Sequence, residues 1–198
     1  MISAGETATA LTLVEPDLEN LQGFEAALAA GWSPDPRRAG DRDYIESLHM
    51  TLGQNRAAFL VDLTKPGDTL PRPDGTGGHR LRSLQFWIWD GEFCGNVNLR
   101  FQPGTIELPP RVSGHIGYSV VPWKQGKGYA TMALKRVLDV ARDQSLGQVV
   151  ILCDEHNHAS RRVIERNGGI LFETAPHASD RPDRLKLHFR ISLDADPR

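Results

Sequence analysis

The sequence has few cysteines, no long apolar run and no basic leader. Its two cysteines, Cys94 and Cys153, each lie in an apolar, strand-like run, so we interpret both as reduced core residues without a disulfide framework. A transmembrane helix would need a run of about 18 apolar residues, and none occurs. The first residues also lack a basic segment followed by an apolar one. We therefore predict a cytoplasmic protein with no membrane partner.

A basic excess and a metal-ligand cluster are missing too. The net charge of −2 at pH 7 argues against a nucleic-acid partner, because nucleic-acid-binding surfaces carry an excess of lysine and arginine. His156 and His158 stand two positions apart without a matching cysteine or carboxylate cluster, so no metal is predicted. No G-x-S-x-G motif of a hydrolase occurs either.

The length of 198 residues suits one domain with a substantial core, and the sequence has no internal repeats. Residues 64–83 are rich in proline and glycine and have no periodicity. We predict a single domain over residues 1–198 with a mobile loop at 64–83, which either covers a substrate or is surface disorder.

The strongest pattern in the chain is a strand, a glycine loop and a helix. Ile116, Tyr118 and Val120 alternate with other residues, which is typical of a strand with one buried face. A helical stripe follows, made of Ala130, Ala133, Leu134, Val137, Leu138 and Ala141. Between them, Gln125–Ala130 reads Q-G-K-G-Y-A and brings backbone N–H groups to a helix start, where phosphate oxygens bind. The alternative is that the glycines are needed only for the tight turn and bind no ligand.

The exact sequence of this loop narrows the set of ligands that it could bind. It lacks the third glycine of G-x-G-x-x-G, and no G-K-[ST] occurs for a P-loop. It matches Q/R-x-x-G-x-G/A through Gln125, Gly128 and Ala130, and so resembles the acetyl-coenzyme A signature of the GNAT family of N-acetyltransferases, over roughly residues 83–174. The resemblance implies an α/β (α+β) fold. Its mixed, mostly antiparallel central sheet would have about six or seven strands, flanked by about four helices and containing a splayed parallel strand pair.

The resemblance also implies acetyl transfer from acetyl-coenzyme A to a primary amine, by direct attack in a ternary complex. The implied cofactor-binding residues are Ser119, Val120, Val121, Gln125, Gly126, Lys127, Gly128, Tyr129, Ala130, Thr131, Asn157 and Ser160. The Val120 N–H would donate to the oxyanion. Asn157 and Ser160 match the family's second signature, and helix capping is their alternative role.

A general base is predicted at His115, because histidine accepts a proton near neutral pH. A hydrogen-bonded structural histidine is the equal alternative, and Asp154 and Glu155 are weaker candidates for the base.

The family's acid tyrosine is replaced here by Ile164. A water, Ser160 or Tyr118 would then protonate the thiolate, or the thiolate would leave unassisted. This loss keeps open a non-catalytic acetyl-coenzyme A-binding module, and the loop alone would also admit another phosphate-bearing ligand.

The acceptor is expected to be an amine on a small molecule or a protein, and a homodimer stays open. By resemblance, Trp32, Asn98 and Arg100 face it. Trp32 and Tyr44 have buried packing as their alternative role.

Periodicity and turn signals predict the remaining elements. Strands are predicted at residues 7–14, 57–63, 83–89, 92–100, 149–153, 170–174 and 184–191. Helices are predicted from Asp17 to Gly31, at 42–52 and up to Arg166. Asp90-Gly91 predicts a hairpin between two of these strands, and the apolar strand 149–153 is expected beside a parallel partner.

Overall fold

A computed structural model of the protein describes residues 11–64, 81–109, 112, 114–176 and 184–194. Most of the loop predicted at 64–83 lies outside these ranges, as do residues 7–10 of the first predicted strand. In chain order the elements are β1 (Thr12–Val14), α1 (Leu21–Ala29), α2 (Arg42–Gln54), α3 (Arg56–Thr64), β2 (Arg82–Trp89), β3 (Phe93–Phe101), β4 (Ile116–Val120), α4 (Tyr129–Asp143), β5 (Gln148–Asp154), α5 (His158–Arg166), β6 (Ile170–Pro176) and β7 (Leu185–Ser192).

The strands form two antiparallel sheets. The first has four strands in the order β1-β2-β3-β4, and the second has three in the order β5-β7-β6. The hairpin predicted at Asp90-Gly91 joins β2 to β3, whose pairing runs from Arg82 opposite Phe101 to Trp89 opposite Phe93. Gly91 has a φ of 108°, which favours glycine at this turn.

The two sheets meet where β4 and β5 begin to diverge. Just before β4, the His115 N–H donates to the Val150 carbonyl at 2.7 Å. A Cβ on Gly114 would lie 3.0 Å from that same carbonyl, so glycine permits this close approach. Beyond it, β5 pairs along its length with β7 and no longer with β4. The α/β class and the splayed pair predicted from sequence are confirmed, whereas the buried ladder of β5 is antiparallel.

Each face of the first sheet covers a separate core. On one side, α4 packs its predicted apolar stripe, and Ala133, Leu134, Val137 and Ala141 are fully buried there. On the other side, α1, α2 and α3 enclose an aromatic cluster whose contacting rings have centroids 5.3 to 5.8 Å apart. Its members are Phe24, Trp32, Phe59, Trp87 and Phe93.

Two local predictions were wrong. Residues 57–63, interpreted as a strand, lie within α3, because Asn55 Oδ1 accepts the Ala58 N–H at 2.9 Å and the helix then buries Phe59 and Leu60. A short apolar run does not distinguish a strand from a buried helix by periodicity. Asp17 does not cap α1 directly, because its carboxylate accepts the Asn20 N–H at 2.7 Å in a turn before the helix.

Candidate active site

A cleft of about 970 Å³ opens where β4 and β5 separate. Its walls are formed by both strands, the loop after β4, the first turn of α4 and α5, and it continues to α2, α3 and the cleft-facing side of β3. The sequence-predicted residues that line it are Asn98, Arg100, Ser119, Val120, Gln125, Gly126, Gly128, Tyr129, Ala130, Thr131, Asn157 and Ser160. Those that do not line it are Trp32, His115, Val121 and Lys127.

The glycine loop ends directly at the start of α4. Gly126 and Gly128 have φ values of 75° and 84°, and a Cβ on either would meet no protein atom within 4 Å. Gly128 is the N-cap residue of α4, so no side chain caps the helix. The N–H groups of the first turn have no partner within the helix, and they form the positive end of its dipole. Unpaired N–H groups and a positive helix end are the features that favour an anion, and this end of the cleft has both.

A half-buried carboxylate braces the loop against the β2–β3 hairpin. Asp90 accepts hydrogen bonds from Lys124 Nζ at 2.9 and 3.1 Å and from the Tyr129 hydroxyl at 2.6 Å. Burial alone would raise the pKa of Asp90, but the bonds from Tyr129 and Lys124 outweigh it and lower the pKa to about 2. The side chain of Tyr129 thus fixes the start of α4 against the hairpin.

The backbone of β4 presents the Val120 N–H to the cleft. The Val121 N–H donates to the Cys94 carbonyl of β3 at 3.0 Å, and successive N–H groups along a strand point to opposite sides. The Val120 carbonyl accepts from Gln125 Nε2 at 3.0 Å, which closes the loop onto the strand. Val121 itself is fully buried in the aromatic core.

Ser119 and Trp32 belong to one structural contact. The Ser119 hydroxyl accepts the Trp32 indole N–H at 2.9 Å and donates to the Ser33 carbonyl at 3.0 Å. Trp32 is 5% exposed and packs edge-on against Phe24 and Phe93. These contacts favour the packing alternative for Trp32.

His115 is buried at the junction of the two sheets, away from the cleft. It is 1% exposed, and its Nδ1 accepts the Val150 N–H at 3.0 Å. Burial lowers its pKa, although the hydrogen bond to Val150 works in the opposite direction. An Nδ1 that accepts a hydrogen bond places the proton of the neutral ring on Nε2. This geometry supports the structural alternative for His115.

Two hydroxyl groups meet inside the cleft. The Tyr118 hydroxyl lies 2.8 Å from Ser160 Oγ, and the Ser160 N–H donates to Asn157 Oδ1 at 2.9 Å at the start of α5. Asn157 therefore caps the helix and orients Ser160. Burial raises the pKa of Tyr118, so its hydroxyl stays protonated. Ile164, which replaces the family tyrosine, is fully buried outside the cleft.

The two cysteines are free and buried, as predicted. Burial raises the pKa of Cys94 to about 12 and that of Cys153 to about 11. Cys153 nevertheless lines the cleft wall on β5. Both thiols are therefore protonated at neutral pH, which does not favour either as a nucleophile.

The far end of the cleft carries charges of both signs. Arg37 binds Asp35 at 2.7 Å, and Arg100 lies on the same wall. Burial lowers the pKa of Arg100, and the positive charge of Arg37 adds to this effect. Tyr44 also lines this end and stacks under the Arg38 guanidinium, 4.1 Å from its ring centre.

In the described ranges, no three histidine, cysteine, aspartate or glutamate side chains gather closely enough to hold a metal ion. No helix that the structure describes has both the length and the apolar character needed to span a membrane.

Residues 76–170 match the family model described as "Acetyltransferase (GNAT) domain". This part of the chain is therefore similar to a GNAT acetyltransferase domain. The family resemblance inferred from Gln125, Gly128 and Ala130 is thus confirmed. Comparison with curated protein sequences gives no significant match.

Solved acetyltransferase structures share the fold of this chain. RimL, a ribosomal alpha-N-protein acetyltransferase in complex with coenzyme A, is 18% identical with a TM-score of 0.60, over 96% of this chain and 97% of that one. Mycobacterium smegmatis RimJ, solved with a coenzyme A disulfide, is 21% identical with a TM-score of 0.61, over 95% and 84%. A chimera of Vibrio cholerae spermidine N-acetyltransferase SpeG and hSSAT is 14% identical with a TM-score of 0.58, over 92% and 95%. Because these sequence identities are low, the similarity establishes a shared fold and nothing further.

Sequence reasoning missed several residues that line the cleft. The sequence predicts only a turn at Asp90 and no role for Lys124, because the contact between them joins residues 34 positions apart. Asp35 and Arg37 sit in a proline-containing loop without periodicity. Arg162 and Arg166 also line the cleft, and their spacing of one helical turn was the available signal.

Proposed function

We propose that this protein is an N-acetyltransferase that transfers acetyl from acetyl-coenzyme A to a primary amine by direct attack in a ternary complex. The observation that carries the proposal is one continuous cleft, with an anion-binding helix start at one end and a polar acceptor region at the other. Direct attack needs both substrates bound together, and the cleft has room for both along its length. RimL and MccE, which share the fold, were solved with coenzyme A and acetyl-coenzyme A respectively.

The residues fit acetyl-coenzyme A in three respects. The glycine loop and the first turn of α4 supply backbone donors for the pyrophosphate, and the open space at Gly126 and Gly128 lets it approach. The gap between β4 and β5 leaves the backbone of β4 accessible to the extended pantetheine arm of acetyl-coenzyme A. The Val120 N–H points into this gap, where it would stabilise the oxyanion of the attacked thioester.

We assign proton donation to the departing thiolate to Tyr118, paired with Ser160. Both line the cleft, and the raised pKa keeps the tyrosine protonated at neutral and mildly alkaline pH. We assign His115 a structural role, so the attacking amine loses its proton to water or arrives neutral. These assignments replace the missing family tyrosine with one from β4.

The acceptor class is broad. Solved relatives act on different amines, since the name of RimL gives a ribosomal protein and that of SpeG gives spermidine. The acceptor end here combines the Asp35–Arg37 pair with Asn98 and Arg100. This mixture of charge suits an acceptor that carries a carboxylate or amide beside its amine better than an all-cationic polyamine.

The proposal is tested by binding and turnover together. Calorimetry with coenzyme A and acetyl-coenzyme A should give a single site, and thiol release should appear with an amine from a panel of amino acids, short peptides and polyamines. Binding without thiol release in any mixture would instead support a non-catalytic binding module, which the replacement of the family tyrosine by Ile164 favours. Tighter binding of a nucleotide than of coenzyme A would overturn the cofactor assignment.

A further inference from the structure

Helix α5 carries two arginines that face the cleft and one that does not. Arg162 and Arg166 are one helical turn apart and both line the cleft. Their neighbour Arg161 does not line it, and its guanidinium pairs with Glu165 at 2.8 Å. In the described part of the chain, neither cleft-facing arginine has a carboxylate partner. Two like charges at this spacing repel each other, and an anion between them would relieve the repulsion.

The arginine pair stands beside the anion-binding start of α4. Asn167, which follows α5 directly, donates from Nδ2 to the Thr131 carbonyl in the first turn of α4 at 3.2 Å. The same amide group donates to the Val163 carbonyl at 2.8 Å. The end of α5 is therefore fixed against the first turn of α4, and Arg162 and Arg166 line the same cleft as that helix start.

We propose that Arg162 and Arg166 form a phosphomonoester subsite that receives the 3′-phosphate on the ribose of coenzyme A. The inference rests on the proposal that the cleft binds coenzyme A. A phosphomonoester carries nearly two negative charges at neutral pH, and the planar guanidinium binds such a group through two parallel hydrogen bonds. The α4 helix start satisfies the pyrophosphate with backbone donors, which leaves the arginine pair for the separate phosphate at the ribose.

The test compares coenzyme A with dephospho-coenzyme A, which lacks only the 3′-phosphate. Calorimetry at one fixed ionic strength should show that the wild-type protein binds coenzyme A about 10- to 100-fold more tightly. In the double variant Arg162→Ala/Arg166→Ala this preference should disappear, with the affinity for dephospho-coenzyme A unchanged. The matched control is Arg161→Ala, an exposed arginine of the same helix, which should keep the wild-type preference.

The possible outcomes separate this inference from the proposed function. An equal loss of affinity for both ligands in the double variant would show that the arginines bind the pyrophosphate, and would overturn the subsite. A wild-type protein that binds both ligands equally would overturn it as well. A wild-type protein that binds neither ligand would overturn the proposed function itself. All three arginines are exposed, and melting temperatures equal to that of the wild type would verify that the variants fold.

Discussion

Gly128 has a left-handed backbone and open surroundings, so its substitution should affect stability and ligand binding separately. An alanine at its φ of 84° strains the backbone by about 1 to 2 kcal/mol. Its new methyl group would also occupy the open space of the loop, so Gly128→Ala should weaken coenzyme A binding about tenfold or more. Calorimetry and urea unfolding measure the two effects.

The matched control for this prediction is Gly104→Ala. Gly104 has a φ of 79° and equally open surroundings, but it does not line the cleft. It should lose the same stability and keep wild-type affinity for coenzyme A. Equal affinities in the two variants would show that the loop does not contact the ligand.

Tyr118 offers a second residue-scale prediction. Tyr118→Phe removes the hydroxyl that lies 2.8 Å from Ser160 Oγ and should lower kcat about 100-fold, as removal of a general acid does. The affinity for acetyl-coenzyme A should stay within about twofold, because the aromatic ring is kept. Ser160→Ala, which leaves the acid in place, should have a smaller effect on kcat. An unchanged kcat in Tyr118→Phe would show that the thiolate leaves unassisted or is protonated by water.

At the scale of elements, Asp90 ties the β2–β3 hairpin to the start of α4. Its pKa of about 2 in the folded protein lies below its ordinary value of 3.8, so the unfolded chain binds the proton more readily. This interaction therefore stabilises the fold above pH 4, and the stabilisation is lost as the pH falls toward 2. Asp90→Asn should lower the free energy of unfolding at pH 7 by up to about 2 kcal/mol.

Urea unfolding at several pH values measures this effect, since the difference between Asp90→Asn and wild type should shrink as the pH falls below 4. The control is Asp139→Asn, because Asp139 pairs with Arg142 on α4 but is 67% exposed. An exposed ion pair contributes less than about 1 kcal/mol. An Asp90→Asn variant as stable as wild type at pH 7 would contradict the bracing role.

At the scale of the whole molecule, local patterns predicted more of the structure than distant contacts. The strand, loop and α4 were predictable because their signals lie within 30 consecutive positions, and the Asp90-Gly91 hairpin has an equally local signal. The partner of β5 was not predictable, because β7 lies more than 30 positions further along the chain. The far end of the cleft was missed in part for the same reason, since Arg37 and Arg100 come together only through packing.

His115 affects the whole molecule because it joins the two sheets whose divergence forms the cleft. Its Nδ1 accepts the part-buried Val150 N–H, and a donor left unsatisfied away from water costs about 1 to 3 kcal/mol. His115→Ala should therefore be strongly destabilised. His115→Asn should recover part of the loss, because an asparagine Oδ1 can accept the same hydrogen bond but cannot act as a base.

The Asn variant separates the two roles of His115 left open by the sequence. If His115 is structural, folded His115→Asn should keep kcat/KM within about twofold, and kcat/KM should still fall at acidic pH as it does in the wild type. Loss of a general base would instead lower kcat/KM about 100-fold or more. Stability gives an independent check. Because the folded pKa lies below the ordinary value, the unfolded chain binds the proton more readily, and the contribution of His115 should fade as the pH drops below about 6.5. A stable His115→Asn protein that loses its activity, and whose residual kcat/KM no longer falls at acidic pH, would show that His115 is the base despite its burial between the sheets.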